Sequence, residues 1–326
     1  MSELSRSEDK RLVLATGRAH PELAQEIADA LGTELLPMSA YDFANGEIYV
    51  RSGESVRGKD VFVIQSHPAP LNNHLMEQLI MLDSMKRASA RRINVVSPFY
   101  PYARQDKKGR GREPISARLV ADLYKTAGAS RIMSVDLHTA QIQGFFDGPV
   151  DHLFAIPLLA DYIRGQVEGE KVTVVSPDTG RVRVAEQWAD RLGGVPLAFV
   201  HKSRDLTTPN KAESKTVVGD VEGRVCVLID DMIDTGGTIA GAVRILKDAG
   251  AKDVIIAATH AVFSDPAAQR LGDSGAREIV VTNTLPIPPE KRFDKLTVLS
   301  IAPLIARAIR EVFEDGSVTS LFDGDS

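Results

Sequence analysis

Short β-branched runs alternate with longer amphipathic ones along most of the chain. Val61–Gln65, Ile93–Phe99, Ile132–Leu137, Val172–Ser176, Leu197–His201, Val225–Ile229, Val254–Ala258, Ile279–Thr284 and Val298–Ile301 read as strands. Leu71–Arg87, Ser116–Ala127, Val182–Leu192, Ile239–Ala249 and the closing Pro303–Phe313 read as helices. Several of the strand runs are continuously apolar, as strands covered on both faces are. Strand–helix alternation of this kind implies βαβ units and parallel sheets. At 326 residues the chain suits two domains of ordinary size. A short repeat supports two similar halves. "AGASRIMSVDLH" ends at His138 and "AGAKDVIIAATH" at His260, with eleven positions from first Ala to His in both. Pro149 and Pro157 bracket a break, so the domains are expected at 1–153 and 154–326. The tail from residue 315 is polar with two apolar hooks, Leu321 and Phe322, and is expected either to pack elsewhere or to remain mobile.

Composition narrows the class. With 43% hydrophobic and 25% charged residues the chain is globular. It contains no apolar run of the ~20 residues that cross a bilayer, and "MSELSRSEDKR" has no apolar secretory segment, so a cytoplasmic location without membrane attachment is expected. A net charge of −5 argues against a broad nucleic-acid surface. The stretch Arg104–Arg118 is locally basic, either a solvated loop or a polyphosphate site. The single cysteine, Cys226, excludes an intrachain disulfide and a cysteine-based zinc cluster.

The candidate chemistry gathers at strand ends. In "VCVLIDDMIDTGGTIAGAV" a buried strand ends in Asp230-Asp231 and reaches Gly236-Gly237 ahead of a helix. Open α/β sheets place ligands at the carboxyl ends of strands. The loop Asp234-Thr235-Gly236-Gly237-Thr238 can turn N–H groups inward at a helix N-terminus, which suits a phosphate, while the two carboxylates accept from sugar hydroxyls. A plain polar turn with a Thr or Asp cap is the alternative. "FVHKSRD" brings Lys202 and Arg204 to another strand end below a polar loop, suited to phosphoryl transfer or simply a solvated edge. Asp178 in "SPDTG" either caps a helix or holds a metal. In "SVDLHTAQIQGFFD", Asp136 and His138 alternate along a strand and so share a face. With Asp147 and Asp151 nearby, they favour Mg²⁺ or Mn²⁺ over zinc if His138 is not merely a satisfied core residue. "FANGEIYVR" places Asn45-Gly46-Glu47 in a tight turn, which a hairpin alone would explain. "FYPYARQD" sets three aromatics beside Arg104-Gln105, either a purine site or a core edge. No P-loop, nucleophile elbow or H-E-x-x-H occurs.

The segment Asp230–Thr238 resembles the phosphoribosyl-pyrophosphate motif of type I phosphoribosyltransferases and their relatives. Taken together with "FYPYARQDKK", "VDLHTAQIQGFF" and "HKSR", it resembles the ribose-phosphate pyrophosphokinase family over nearly the whole chain, in its phosphate-activated class I bacterial form. The resemblance implies an α/β fold of two tandem type I phosphoribosyltransferase-like domains, each with a mainly parallel sheet flanked by helices. It implies ATP and ribose 5-phosphate as substrates, Mg²⁺ as cofactor, inorganic phosphate and ADP as effectors, and a homohexamer. ATP would lie between the domains and against a neighbouring subunit. By the same resemblance Asn45, Gly46, Glu47, Arg104 and Gln105 contact ATP, and His138 and Asp178 hold Mg²⁺. Asp136, Asp147 and Asp151 match a further cation segment. Lys202 matches the catalytic lysine, with Arg204, Asp230, Asp231 and Asp234–Thr238 on ribose 5-phosphate. Two rivals remain: a phosphoribosyltransferase, which needs no ATP pocket, and a non-catalytic regulatory subunit.

Overall fold

The computed structural model describes residues 10–203 and 214–322. The chain forms two compact units, one comprising the residues up to Leu153 with the segment from Ala302 onward, the other Phe154–Ile301.

The first unit begins β1 (Leu12–Thr16), α1 (Pro21–Leu31), β2 (Met38–Asp42), β3 (Ile48–Ser52), β4 (Asp60–Ile64) and α2 (Leu71–Arg87). It continues β5 (Arg92–Val96), α3 (Ser116–Ala127), β6 (Arg131–Val135) and β7 (Val150–Leu153). The sheet order is β1-β4-β5-β6-β7, parallel throughout, and β2–β3 is a separate antiparallel hairpin. β4 is buried at every position, as a central parallel strand with helices on both faces must be. Val61, Val63, Leu82, Met85, Val95, Tyr124 and Ile132 lie in one core. α3 stops where Gly128 turns left-handed (φ 116°).

The second unit runs α4 (Ile156–Gln166), β8 (Val172–Ser176), α5 (Val182–Arg191), β9 (Leu197–Ser203), β10 (Ser214–Val218) and β11 (Val225–Ile233). It closes with α6 (Gly237–Asp248), β12 (Asp253–Ala261), α7 (Ala267–Gly272), β13 (Glu278–Thr282) and β14 (Leu296–Leu299). Its sheet order is β10-β9-β8-β11-β12-β13-β14, with only the β10–β9 pair antiparallel. The chain leaves β8 in one direction and returns to β11 on its other side. That reversal is a topological switch point, where open α/β sheets leave a crevice for ligands. The register deepens it: β11 pairs with β8 only as far as Leu228↔Val175, but with β12 as far as Ile233↔Ala261. Continued pairing to β12 is why the strand extends past the expected end at Ile229 and includes both aspartates.

α8 (Ala302–Phe313) belongs to the first unit, where it packs on α1 and β7. Its apolar face, Leu304, Ile305, Ala308, Ile309 and Val312, is buried. The expected second domain of 154–326 therefore ends at Ile301. The hydrophobic stripe of α8 has its partner in the first unit, which no local signal revealed. Beyond α8, Asp315 is paired to Lys10 and, at 3.3 Å, to Arg92, and Phe322 is buried. One of the two tail hooks is thus anchored. Among the described residues no helix is long and apolar enough to cross a membrane.

Candidate active site

The loop after β11 is shaped by one backbone choice. Gly236 adopts a left-handed conformation (φ 73°) and serves as N-cap of α6, with no side chain to offer its first turn. The expected alternative, a Thr or Asp cap, is therefore not what the helix uses. The first N–H groups of α6 face the loop, and the helix dipole adds partial positive charge there. A second cue comes from outside the motif. Arg270 Nη1 donates to the Thr235 carbonyl at 3.1 Å. In a trans peptide C=O and N–H point oppositely, so holding that carbonyl on the α7 side turns the Gly236 N–H away from it.

Asp230 and Asp231 lie at the switch point, 16% and 6% exposed as side chains, and both meet Arg181. Arg181 Nε is 3.1 Å from Asp230 Oδ1, and Nη2 is 2.7 Å from Asp231 Oδ1. The Asp231 N–H also donates to Asp230 Oδ1 at 2.8 Å. Burial pushes the Asp230 carboxyl up, Arg181 pulls it down and the neighbouring Asp231 charge adds to the rise, leaving it at about 7. Burial disfavours the guanidinium charge of Arg181, yet Asp231 and Asp230 outweigh it and raise its pKa.

β8 delivers Asp178 beside this pair. Its Oδ1 accepts from the Gly180 N–H at 2.8 Å, so the capping role expected as one alternative is realised at one oxygen. Lys202 stands near the end of β9, opposite Lys215 of β10, beyond the last β8 pairing at Ser176↔Phe199. Its side chain, and Arg204 altogether, lie outside the described residues.

In the first unit the loops after β5 and β6 meet. Asp106 is buried and accepts from Thr139 Oγ1 at 2.8 Å and from Gln141 Nε2 at 2.6 Å. It ties the segment holding Arg104 and Gln105 to the one holding His138. Gln105 is further fixed by Ser116 Oγ, which donates to its Oε1 at 2.6 Å. Of the three aromatics, Phe99 and Tyr100 are buried, and the Tyr100 hydroxyl donates to the Ala117 carbonyl, so this pair is core and offers no face to a purine. Asn45, Gly46 and Glu47 form the exposed turn of the β2–β3 hairpin, in which Asn45 Oδ1 accepts from the Glu47 N–H at 3.2 Å and Gly46 has φ 87°. Tyr41 and Phe43 are exposed beside it.

The expected cation cluster does not assemble. β6 ends at Val135, so Asp136 and His138 are not alternate residues of a strand, and Asp136 takes φ 38°. Asp151 sits opposite Met133 in the register, with both carboxylate oxygens on Arg131 Nη1 at 2.7 and 2.8 Å, while Asp147 pairs with Lys125 at 3.4 Å. Asp151 and Asp147 are thus engaged near the start of β6, away from Asp136 and His138 at its carboxyl end. Among the described residues no three His, Cys, Asp or Glu side chains gather as a metal site.

Three residues that sequence reasoning passed over now have places: Arg181, Arg270 and Asp106. Asp106 stood inside a quoted motif, and Arg181 followed Asp178 by three positions. Arg270 carried no local signal.

Known proteins match this chain along its length. The N-terminal domain of ribose phosphate pyrophosphokinase matches residues 12–128, and the phosphoribosyl synthetase-associated domain matches residues 198–323. The ribose-phosphate pyrophosphokinase of Mycobacterium tuberculosis (strain ATCC 25618 / H37Rv) is 68% identical over 317 residues, 97% of this chain and 97% of that protein. That of Bifidobacterium longum (strain NCC 2705) is 67% identical over 317 residues, 97% of this chain and 93% of that protein. The crystal structure of phosphoribosylpyrophosphate synthetase from Mycobacterium smegmatis superposes with a TM-score of 0.90 at 68% identity, covering 94% of this chain and 100% of that one.

Proposed function

The chain belongs to the ribose-phosphate pyrophosphokinase family of enzymes, and we propose on that footing that it transfers the β,γ-pyrophosphoryl group of Mg·ATP to the 1-hydroxyl of ribose 5-phosphate. The products are 5-phosphoribosyl 1-pyrophosphate and AMP. The observation that carries this reading is the paired carboxylates beside an amide-lined loop at the switch point of the second unit. Such a site suits a phosphorylated polyol: amides for the phosphate, carboxylates for the hydroxyls.

In the reaction the O1–Pβ bond forms, the bond from Pβ to the α-phosphate oxygen breaks, and the hydroxyl proton passes to solvent. The Gly236-Gly237 amides and Thr238 anchor the 5-phosphate, and Asp230 and Asp231 orient the ring. Lys202 at the end of β9, with Arg204, neutralises charge on the group in transfer. Asn45–Glu47, Arg104 and Gln105 hold the nucleotide. Positioning and electrostatics supply most of the acceleration in such a transfer.

Magnesium binds proteins through one or two carboxylates plus substrate phosphates and neutralises phosphoryl charge. The residues present fit that habit: Asp178 is exposed just beyond β8, with Oδ1 used in a cap, and His138 is the candidate of the first unit. Inorganic phosphate and ADP as effectors and a homohexameric assembly complete the proposal, and the exposed basic turn Lys107–Arg112 supports an anionic effector. The test is to incubate the chain with Mg·ATP and ribose 5-phosphate and follow AMP. Release only with both substrates supports the reading; release without the sugar phosphate, or none at all, refutes it.

A further inference from the structure

We propose that Arg181 is a positioning residue for the sugar, fixing the direction in which Asp230 and Asp231 present their carboxylates. The inference rests on the assignment of those aspartates to ribose 5-phosphate and goes beyond it by adding a residue that acts on the sugar through them.

The geometry is specific. Adjacent residues of a regular strand point to opposite faces, yet the carboxylates of Asp230 and Asp231 reach one guanidinium. The register with β12 keeps one offset here, Asp230 opposite Ala258 and Met232 opposite His260, with no pairing at Asp231, and it is at this point that the two acids meet Arg181. On Asp230 both bonds, from Arg181 Nε and from the Asp231 N–H, fall on Oδ1. A carboxylate has about four acceptor positions, so two donors meeting at Oδ1 fix the plane in which the group is presented to a hydroxyl. The planar fork of arginine suits a bridge between two carboxylates, whereas an ammonium is a point charge. Arg181 reaches the pair from the turn after β8, across the switch point itself. Its effect on the sugar therefore passes through Asp230 and Asp231.

An ion pair that served folding alone would look similar at rest but behave differently in kinetics. Arg181→Gln and Arg181→Lys distinguish the two, with thermal unfolding to establish that each variant folds. Titration calorimetry reads ribose 5-phosphate binding in the absence of ATP, and AMP release reads KM for each substrate. The expected result is a KM for ribose 5-phosphate raised about 10–100-fold in the glutamine variant, the scale of a hydrogen bond to a charged group. The lysine variant should fall between it and wild type, and KM for ATP should stay unchanged. Should the glutamine variant fail to fold, the lysine variant decides: a raised KM for ribose 5-phosphate alone supports positioning. An unchanged KM in a folded variant, or equal changes for both substrates, overturns it. Failure of the wild-type chain to bind ribose 5-phosphate or release AMP would instead refute the ribose assignment, a separate outcome.

Discussion

Replacing Gly236 by alanine tests the loop proposed to hold the 5-phosphate at its most exacting position. A Cβ built at Gly236 lies 3.5 Å from Ala267 Cα and from Leu271 Cγ, which is ordinary contact, so space is not the obstacle. The obstacle is φ 73°. A residue with a Cβ is disfavoured there by about 1–2 kcal/mol. For a unit of this size that lowers the unfolding midpoint by about 2–4 °C per kcal/mol. If the loop instead relaxes out of the left-handed region, stability is partly recovered but the Gly236 and Gly237 amides turn away. Each lost bond to an anion is worth about 1.5–3 kcal/mol, or roughly 10–100-fold in KM for ribose 5-phosphate. Differential scanning calorimetry with steady-state AMP release reads both quantities on one preparation. Gly236→Asn, which tolerates the left-handed region better, should lose less on both axes. An alanine variant with the wild-type midpoint and wild-type KM for ribose 5-phosphate would refute the account of this loop.

Other consequences can be measured on the same footing. Lys202→Ala should cut kcat by ~10²–10³-fold, the cost of one well-placed charge-stabilising group, while calorimetry shows ribose 5-phosphate still bound; near-normal turnover would remove Lys202 from the chemistry. Arg270→Ala frees the Thr235 carbonyl and should raise KM for ribose 5-phosphate with little change for ATP, whereas equal effects on both would contradict its place behind the loop. Asp230 has its pKa raised to about 7, so the stability it contributes is present in acid and lost as pH rises from about 4 through about 7. Asp230→Asn should remove that loss, and an identical pH–stability curve for variant and wild type would count against the buried carboxyl. His67 behaves in the opposite sense: fully buried, it is pushed down from 6.5 to about 4 by burial, partly offset by its bond to the Phe99 carbonyl. Stability is fully present above about 6.5 and lost as pH falls toward 4, by up to about 3 kcal/mol, so a His67→Asn chain that showed the same acid sensitivity would sink the assignment.

The elements easiest to read from the sequence are those whose apolar pattern is interrupted by nothing local. Val172–Ser176, Leu71–Arg87 and Ser116–Ala127 stand where their patterns put them. β1, β2, β7, β10, α1, α4 and α7 carry no comparable signal, and β2 is partly exposed along its length. β11 outran its apolar stretch because pairing to β12 continues at Asp230, Met232 and Ile233, a constraint supplied by a neighbouring strand.

The contiguous motif is legible in the order of residues alone. Asp230, Asp231 and Asp234–Thr238 form a motif because a strand, a left-handed glycine and a helix start follow one another along one stretch of chain, and local backbone preference is enough to join them. Relations that depend on strand order emerge only in the assembled fold: Arg181 meeting the two aspartates across the switch point, Arg270 holding the loop from α7, and Asp106 tying two loops together. The same holds for the separation of Asp147 and Asp151 from His138 and for the place of α8 in the first unit. Side-chain periodicity says which face of an element is buried, but not against what, and a charge in the sequence acquires its partner only when the sheet has been assembled.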